Sequence, residues 1–268
     1  GLTLPATMKK STMKTFLFIL LYVAANGQAP NLSNWKKDSI PNDITVFDAN
    51  HTQDDWTFSF LNGKVEIERN KYSKIHGDSL PNNPEFIKVK KTLYGQLQVQ
   101  KVTNGYILGF DKGENGGGLI FMDEAGNKTS ILTETYEYGL NIKKIFLYNS
   151  KLLALEGLAH LGGNRGKIIE IFQDKGIWKY KKIVDLIETP KLLFTYKADQ
   201  YIITSSQILS LDKNLKVTSI LKAPFYWGML YPSNVTVDGD DIYLAMRKGI
   251  LNIKQFKNNP TYLWYTPK

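Results

Sequence analysis

Asn234-Val-Thr-Val-Asp-Gly-Asp-Asp-Ile-Tyr-Leu-Ala-Met-Arg-Lys-Gly-Ile-Leu-Asn-Ile-Lys254 decides the fold. A short strand from Asn234 to Val237 meets a tight turn at Asp238-Gly239-Asp240. A second strand follows from Ile242 to Met246, and a third runs from Ile250 to Phe256. Short apolar runs joined by Asp-Gly turns are the signature of an antiparallel meander.

The same plan recurs upstream. Tyr106–Phe110, Leu152–Leu155 and Tyr201–Thr204 match the Ile242 run, and their starts lie 46, 49 and 41 residues apart. Each has a strand before it: Gln96–Val102, Ile142–Tyr148, Lys191–Tyr196, Asn234–Val237. Each has a third strand after it: Gly118–Met122, Lys167–Phe172, Gln207–Leu211, Ile250–Phe256. A fourth closes each unit: Lys128–Leu132, Trp178–Val184, Leu215–Leu221, Thr261–Tyr265. Four strands every 40 to 50 residues or so is the period of a β-propeller. A lone four-stranded sheet cannot bury both faces, whereas sheets packed around an axis can.

The expected fold is all-β: a β-propeller of five four-stranded blades, with four as the alternative count. About 240 residues divided by about 48 favours five. Residues 30–268 form one domain in this reading, with 30–94 as a divergent first blade or a cap. There, Thr57–Leu61 and Val65–Glu68 read as a hairpin across Asn62-Gly63, and Phe86–Lys90 as another strand. Almost no helix is expected.

The segment Tyr231-Pro-Ser-Asn-Val-Thr-Val-Asp-Gly-Asp-Asp-Ile-Tyr-Leu-Ala-Met-Arg-Lys-Gly-Ile250 resembles the last-blade pattern of bacterial secreted β-propeller proteins of the uncharacterised kind. A Pro-Ser-x-hydrophobic strand leads to an Asp-Gly turn and then to a strand ending in Met-Arg. WD, kelch and YWTD signatures are absent, so the resemblance carries no binding role over from those families.

Residues 1–29 read as a secretory leader with upstream residues. Lys9, Lys10 and Lys14 precede the apolar run Phe16–Ala25, and small residues follow at Ala25, Gly27 and Ala29. Ten apolar residues are too few to span a bilayer, which takes about 20. Initiation is expected at Met8 or Met13. The chain has no cysteine, which excludes disulfides, thiolate metal sites and a lipidated cysteine. With 43% hydrophobic residues over 268 positions, the core is large enough to do without staples. Export to a periplasm or to the medium is expected. Sequons stand at Asn31, Asn50, Asn127 and Asn234.

The net charge is +9. Its lysines are scattered on alternating strand positions, as in Trp178-Lys-Tyr-Lys-Lys182, which describes a solvated sheet face. Nucleic-acid binding needs a concentrated basic stripe and is not expected. A monomer without a cofactor or a metal is expected.

Candidate site residues come from loops on one end of the sheets. Aligning the small residues Gly109, Ala154 and Ala245 places Asp111, Glu156 and Arg247 at matching strand ends, with Ser205 or Ser206 in the third repeat. The loops Asp111–Gly117 and Glu156–Gly166 are long, and the second holds His160 and Arg165. Asp111-Lys-Gly-Glu-Asn-Gly116 resembles the start of a calcium loop but fails at Gly113 and Met122. His51 and His76 have no metal-ligand spacing. The connection Ala223-Pro-Phe-Tyr-Trp-Gly-Met-Leu-Tyr-Pro232 is aromatic where loops are usually polar, and Tyr136 and Tyr138 add to the same end. Phe225 and Trp227 either plug between blades or join Tyr226 and Tyr231 as a contact surface. The candidate set is Asp111, Glu156, His160, Arg165, Tyr226, Trp227, Tyr231 and Arg247. It fits a non-enzymatic binding protein for a protein or glycan, a periplasmic inhibitor or immunity-type protein being one version. The alternative is a glycoside-hydrolase-like enzyme, for which Asp111 and Glu156 are the available carboxylates.

Overall fold

Short apolar runs punctuated by Asn, Asp and Gly favour strands over helices. The computed structural model describes residues 27–71, 73–131 and 139–268, and among them the pattern produces twenty strands. The leader pattern up to residue 26, Leu132, Tyr136 and Tyr138 lie outside the described residues.

The N-terminal part holds β1 (Trp35–Asp38), α1 (Asp43–Asn50), a hairpin of β2 (Trp56–Leu61) and β3 (Lys64–Arg69), β4 (Ile75–Gly77) and α2 (Pro84–Lys91). The first full sheet is β5 (Gln96–Val102), β6 (Gly105–Asp111), β7 (Gly117–Asp123) and β8 (Lys128–Ser130). The second is β9 (Ile142–Tyr148), β10 (Lys151–His160), β11 (Gly163–Asp174) and β12 (Ile177–Leu186). The third is β13 (Leu192–Tyr196), β14 (Asp199–Ile203), β15 (Gln207–Leu211) and β16 (Val217–Lys222). The fourth is β17 (Asn234–Asp238), β18 (Asp241–Met246), β19 (Gly249–Lys254) and β20 (Thr261–Pro267).

Each sheet is an antiparallel meander in chain order. Two gain a fifth strand: β4 adds parallel to β5, and β1 pairs antiparallel with β20. The chain is therefore all-β, in sheets of four or five strands plus the hairpin.

The central strands are buried on both faces, and alternate residues serve different neighbours. On β10, Leu152 and Ala154 pack with Ile107, Leu119 and Ile142 toward the first sheet. Leu153 and Leu155 pack with Ile202, Leu209 and Leu211 toward the third. This is the period-2 alternation of a strand, used to glue three sheets in series. Tyr201, Ile203 and Ile208 then meet Leu244, Leu251 and Trp264. Tyr243, Ala245 and Ile250 meet Phe58 and Val65 of the hairpin. Gly109 explains the small-residue alignment: a Cβ there would sit 2.5 Å from Ile142 Cγ2. That gap sets how closely the first two sheets approach.

Three sequence expectations are corrected. Phe86–Lys90 is not a strand but most of α2. Asn83 Oδ1 accepts from Glu85 and Phe86 N–H, Pro84 opens the first turn, and lysines crowd the last; these are capping and dipole signals. Phe86 and Val89 bury against Leu97, Leu108 and Met122, covering the first sheet. Asp43–Asn50 is also helical, capped by Asn42. Finally, Glu156–Gly166 is not a loop. β10 and β11 pair through it as far as His160 and Gly163. The chain reverses at Leu161 (φ 48°) and Gly162 (φ 81°), a two-residue hairpin turn with both central residues left-handed.

Candidate functional site

Four strand ends meet at one end of the sheets, and polar contacts stitch them together. Asp111 ends β6. Its Oδ2 accepts from Lys143 Nζ of the second sheet at 2.5 Å, and its Oδ1 takes the Gly113 N–H at 3.0 Å. Glu114 Oε2 reaches His160 Nε2 at 3.0 Å, which joins the connection after β6 to the tip of the β10–β11 hairpin. The calcium-like segment is thus a turn tied by its own aspartate. Among the described residues, no group of three His, Cys, Asp or Glu is placed to hold a metal.

Glu156 has no exposed surface. A bulge between Leu155 and Glu156 shifts the β9–β10 register there, the kind of irregularity that re-aims a side chain. Both its oxygens accept from Arg165 Nη1, at 2.9 and 3.0 Å, and Oε1 also takes the Asn141 N–H at 3.3 Å. Asn164, next to Arg165, accepts from Thr189 N–H at 2.7 Å and Ser205 Oγ at 3.4 Å. Those bonds carry the stitching on to the third sheet.

Glu188, in the connection to the third sheet, accepts from Thr204 Oγ1 at 2.6 Å, Ser206 Oγ at 2.5 Å and Ser206 N–H at 2.8 Å. Burial pushes its carboxyl up, but the bonds from Ser206 and Thr204 outweigh this and hold it below the ordinary glutamate range.

The aromatic connection forms the junction of the third and fourth sheets. Trp227 is fully buried, and its Nε1 donates to the Thr204 carbonyl at 2.8 Å. Tyr226 lies across Gly228, where any Cβ would stand 2.7 Å from its ring. Tyr231 caps a 3₁₀ turn over Gly228–Leu230 in a left-handed conformation, φ 49°, a costly backbone for a bulky side chain. Its ring is 46% exposed, its hydroxyl donates to Asn50 Oδ1 at 2.6 Å, and Arg247 Cζ stacks 4.2 Å from its centre. Arg247 also grips Asp55 through Nε and Nη2, at 2.7 and 3.2 Å, and donates to the Asn50 carbonyl at 3.1 Å. It thereby anchors α1 and β2 to the fourth sheet.

No family model matches the chain, and no curated protein matches it. Among solved structures it is similar to a streptogramin B lyase, with 12% identity over 63% of this chain and 53% of that one, TM-score 0.39. It is similar to a virginiamycin B lyase from Staphylococcus aureus, with 13% identity over 62% and 53%, TM-score 0.36. It is also similar to an exo-1,5-alpha-L-arabinanase from a bovine ruminal metagenomic library, with 13% identity over 59% and 68%, TM-score 0.35. The chain spans about half the length of the two lyases.

The eight candidate residues therefore fall into two groups at this end. Asp111, Glu156, His160 and Arg165 lie where the first two sheets meet. Tyr226, Trp227, Tyr231 and Arg247 lie where the third meets the fourth. Glu156 and Trp227 support this end from below, since a side chain with no exposed surface touches no partner.

Beside the first group, and on β4 of the first sheet, stand polar residues that strand patterning does not single out. Lys191 opens the third sheet. Burial, and then the charge of Lys143, pull its ammonium down to about 8, against the opposing pull of Asp111 and Glu188. Lys144 is lowered by burial. His76 on β4 is lowered by burial and then by Lys144, with a bond to the Ser73 backbone acting against both. Asn141 is 1% exposed. No sequence signal distinguishes these lysines from the scattered ones, because what sets them apart is burial. At the opposite end, two clefts of about 350 and 250 Å³ share Lys257, whose Nζ lies 4.8 Å from the rings of Tyr196 and Tyr201.

Proposed function

We propose that this chain is a non-enzymatic exported binding protein that docks a protein partner on the strand-end face. One observation carries the reading: large apolar side chains stand in solvent there. Leu161, at the β10–β11 hairpin tip, is 92% exposed, and Ile187 is 83% exposed. Tyr231 is half-exposed, and Ile44 and Phe47 are exposed on α1, which packs on the turn before Tyr231. Exposed apolar groups stand at the other end too, at Leu61, Leu147 and Ile177, but the two most exposed among the described residues, Leu161 and Ile187, are both here, and exposed apolar groups of this kind mark interaction surfaces. Aliphatic tips suit a protein better than a sugar, whose rings favour aromatic platforms.

The hydrolase alternative needs two available carboxylates about 5 to 10 Å apart. Asp111 and Glu156 are each already engaged by a cation, so the face offers a partner their ion pairs rather than free acids. Glycan binding or hydrolysis remains the outcome that would replace the protein-docking reading.

The proposed frame is a propeller around one axis, with β2–β3 as a two-stranded fifth blade. The succession β5, β9, β13, β17, β2, each packed on the next, supports it. Export rests on the leader pattern. N-terminal sequencing of envelope-fraction protein is expected to read from Gln28 or Pro30, and a chain still carrying Phe16–Ala25 would overturn that.

Tyr231→Ala is expected to weaken partner binding roughly thirtyfold, the usual loss for an aromatic hot spot of about 2 kcal/mol. Lys64→Ala, at the far end of the β2–β3 hairpin, is expected to bind as wild type. The check is recovery of the partner from envelope extract, followed by titration against both variants. Equal binding by Tyr231→Ala and wild type would place the contact elsewhere.

A further inference from the structure

At the end of the sheets opposite the docking face, three aromatic rings gather around one ammonium group. Tyr196 and Tyr201 come from β13 and β14, and Phe256 from the turn after β19. The Phe256 ring stands at 80° to Tyr196 and 88° to Tyr201, with centres 5.2 and 5.6 Å apart, and the two tyrosines meet at 66°. Lys257 Nζ lies over all three, 4.8 Å from the centre of each tyrosine ring and 5.9 Å from that of Phe256. Ring faces carry the negative side of the aromatic quadrupole, so several rings around one point suit an organic cation.

Lys257 belongs to the exposed turn between β19 and β20. Among the described residues, no hydrogen bond or ion pair engages its ammonium, and the ring faces alone hold it. A cleft lies on either side of it. Tyr201, Asp199 and Asp212 line the one of about 350 Å³, Tyr196 and Asp240 line the one of about 250 Å³, and Lys257 is the wall they share. Tyr196 and Tyr201 are 7% and 2% exposed with Lys257 over them. Because each already lines a cleft, their faces open to solvent when that side chain lifts away.

The carboxylates here differ. Asp240 accepts from the Tyr196 hydroxyl and from Lys197 Nζ at 3.2 Å. Asp199 and Asp212 pair with no cation among the described residues. Asp199 takes the Tyr201 hydroxyl at 3.5 Å, and Asp212 takes the N–H groups of Asn214 and Lys216 at 2.8 and 2.9 Å. Two aspartates without an ion-pair partner thus stand at the mouth of an aromatic cage, and both favour a positive ligand.

We propose that Tyr196, Tyr201 and Phe256, with Asp199 and Asp212 at the mouth, bind an alkylammonium group, and that Lys257 occupies this site until a ligand displaces it. The Lys257 ammonium marks where the ligand's nitrogen sits. A side chain tethered beside its own site competes at an effective concentration of about millimolar order. The cage is therefore shut to weakly held ions and opens to a ligand whose added contacts in the two clefts outweigh those of Lys257. The site lies at the other end of the sheets from Tyr231 and does not depend on partner docking there.

The experiment is a nuclear magnetic resonance titration that follows the ring protons of Tyr196 and Tyr201. Methylammonium chloride and tetramethylammonium chloride are added in separate arms, at constant ionic strength in sodium chloride. A third arm uses tert-butanol, a neutral molecule of similar size to tetramethylammonium. Lys257 is exposed and unpaired, so Lys257→Ala leaves the fold intact. That variant is expected to bind at least one cation saturably, with a dissociation constant of about millimolar order. Wild type is expected to bind it about tenfold more weakly, the ratio for a cage closed roughly nine-tenths of the time. Adding Asp199→Asn to Lys257→Ala is expected to weaken binding roughly threefold or more. Lys254→Ala removes an equal charge from the end of β19 without opening the cage, and is expected to behave as wild type. Binding of tetramethylammonium alone identifies a site for a quaternary head group, of methylammonium alone a site for a primary amine, and of both an unselective ammonium cage. No saturable shift with either cation in Lys257→Ala, equal affinity in wild type and Lys257→Ala, or an equal response to tert-butanol overturns the proposal.

Discussion

Trp227→Ala is expected to cost about 4 kcal/mol of unfolding free energy, within the usual range for deleting a buried tryptophan. The side chain has no exposed surface and belongs to the cluster that joins the third and fourth sheets. Phe225 meets it edge-on, with ring centres 6.1 Å apart. Alanine removes that apolar volume from a junction built from two separate sheets, which cannot collapse inward to fill it. It also removes the indole donor of the Thr204 carbonyl. Trp227→Phe keeps most of the volume and loses only the donor, so it is expected to cost about 1 to 2 kcal/mol. Urea unfolding of the two variants checks this. A loss below about 1 kcal/mol for the alanine variant would mean that the connection does not act as a plug.

Arg165→Met is expected to cost about 3 kcal/mol, the low end for breaking a buried ion pair. Glu156 is fully buried, whereas the Arg165 side chain is 51% exposed. Removing the arginine therefore strands a charge inside the protein, and some water can follow into its place. The remedy is to remove that charge as well. Glu156→Gln added to Arg165→Met is expected to recover roughly half the loss, because glutamine keeps the acceptor for the Asn141 N–H. A double-mutant cycle by denaturant unfolding measures the coupling. Additive losses would show that the two side chains stabilise the fold independently.

Much of the fold was legible because it obeys local rules. The boundaries of Gln96–Val102, Ile142–Tyr148 and Gln207–Leu211 read from the sequence coincide with β5, β9 and β15. Short apolar runs between turn residues have no better alternative than a strand in an antiparallel meander. The misreadings have equally local causes. Phe86–Lys90 alternates like a strand, yet Asn83-Pro84 before it and the lysines after it are helix signals. Gly157 and Gly166 suggested a loop, but they are paired strand positions where Pro190 of the next connection comes close.

The site was legible only in part. The alignment of Gly109, Ala154 and Ala245 brought Asp111, Glu156 and Arg247 to corresponding strand ends, because equal positions in equal sheets end at equal heights. Strand periodicity does not say what each polar side chain meets there. Glu156 and Arg165 are nine residues apart in the chain, but Arg247 and Asp55 are separated by 192. The leader pattern and the Tyr136-Glu-Tyr138 aromatics fall outside the described residues.

By itself, the sequence determined an all-β chain of repeated four-stranded meanders, since strand length, alternation and turn chemistry are properties of a few consecutive residues. Tertiary structure alone decided the environment of each charge. Lys143, Lys181 and Lys191 look alike in the chain. Packing gives Lys143 an aspartate, leaves Lys181 in solvent beside Glu170, and holds Lys191 half-buried without a partner. The energy of an ionic group depends on the dielectric and on the neighbours within a few ångströms of it. Those neighbours come from other sheets, distant in sequence, and no local pattern encodes them.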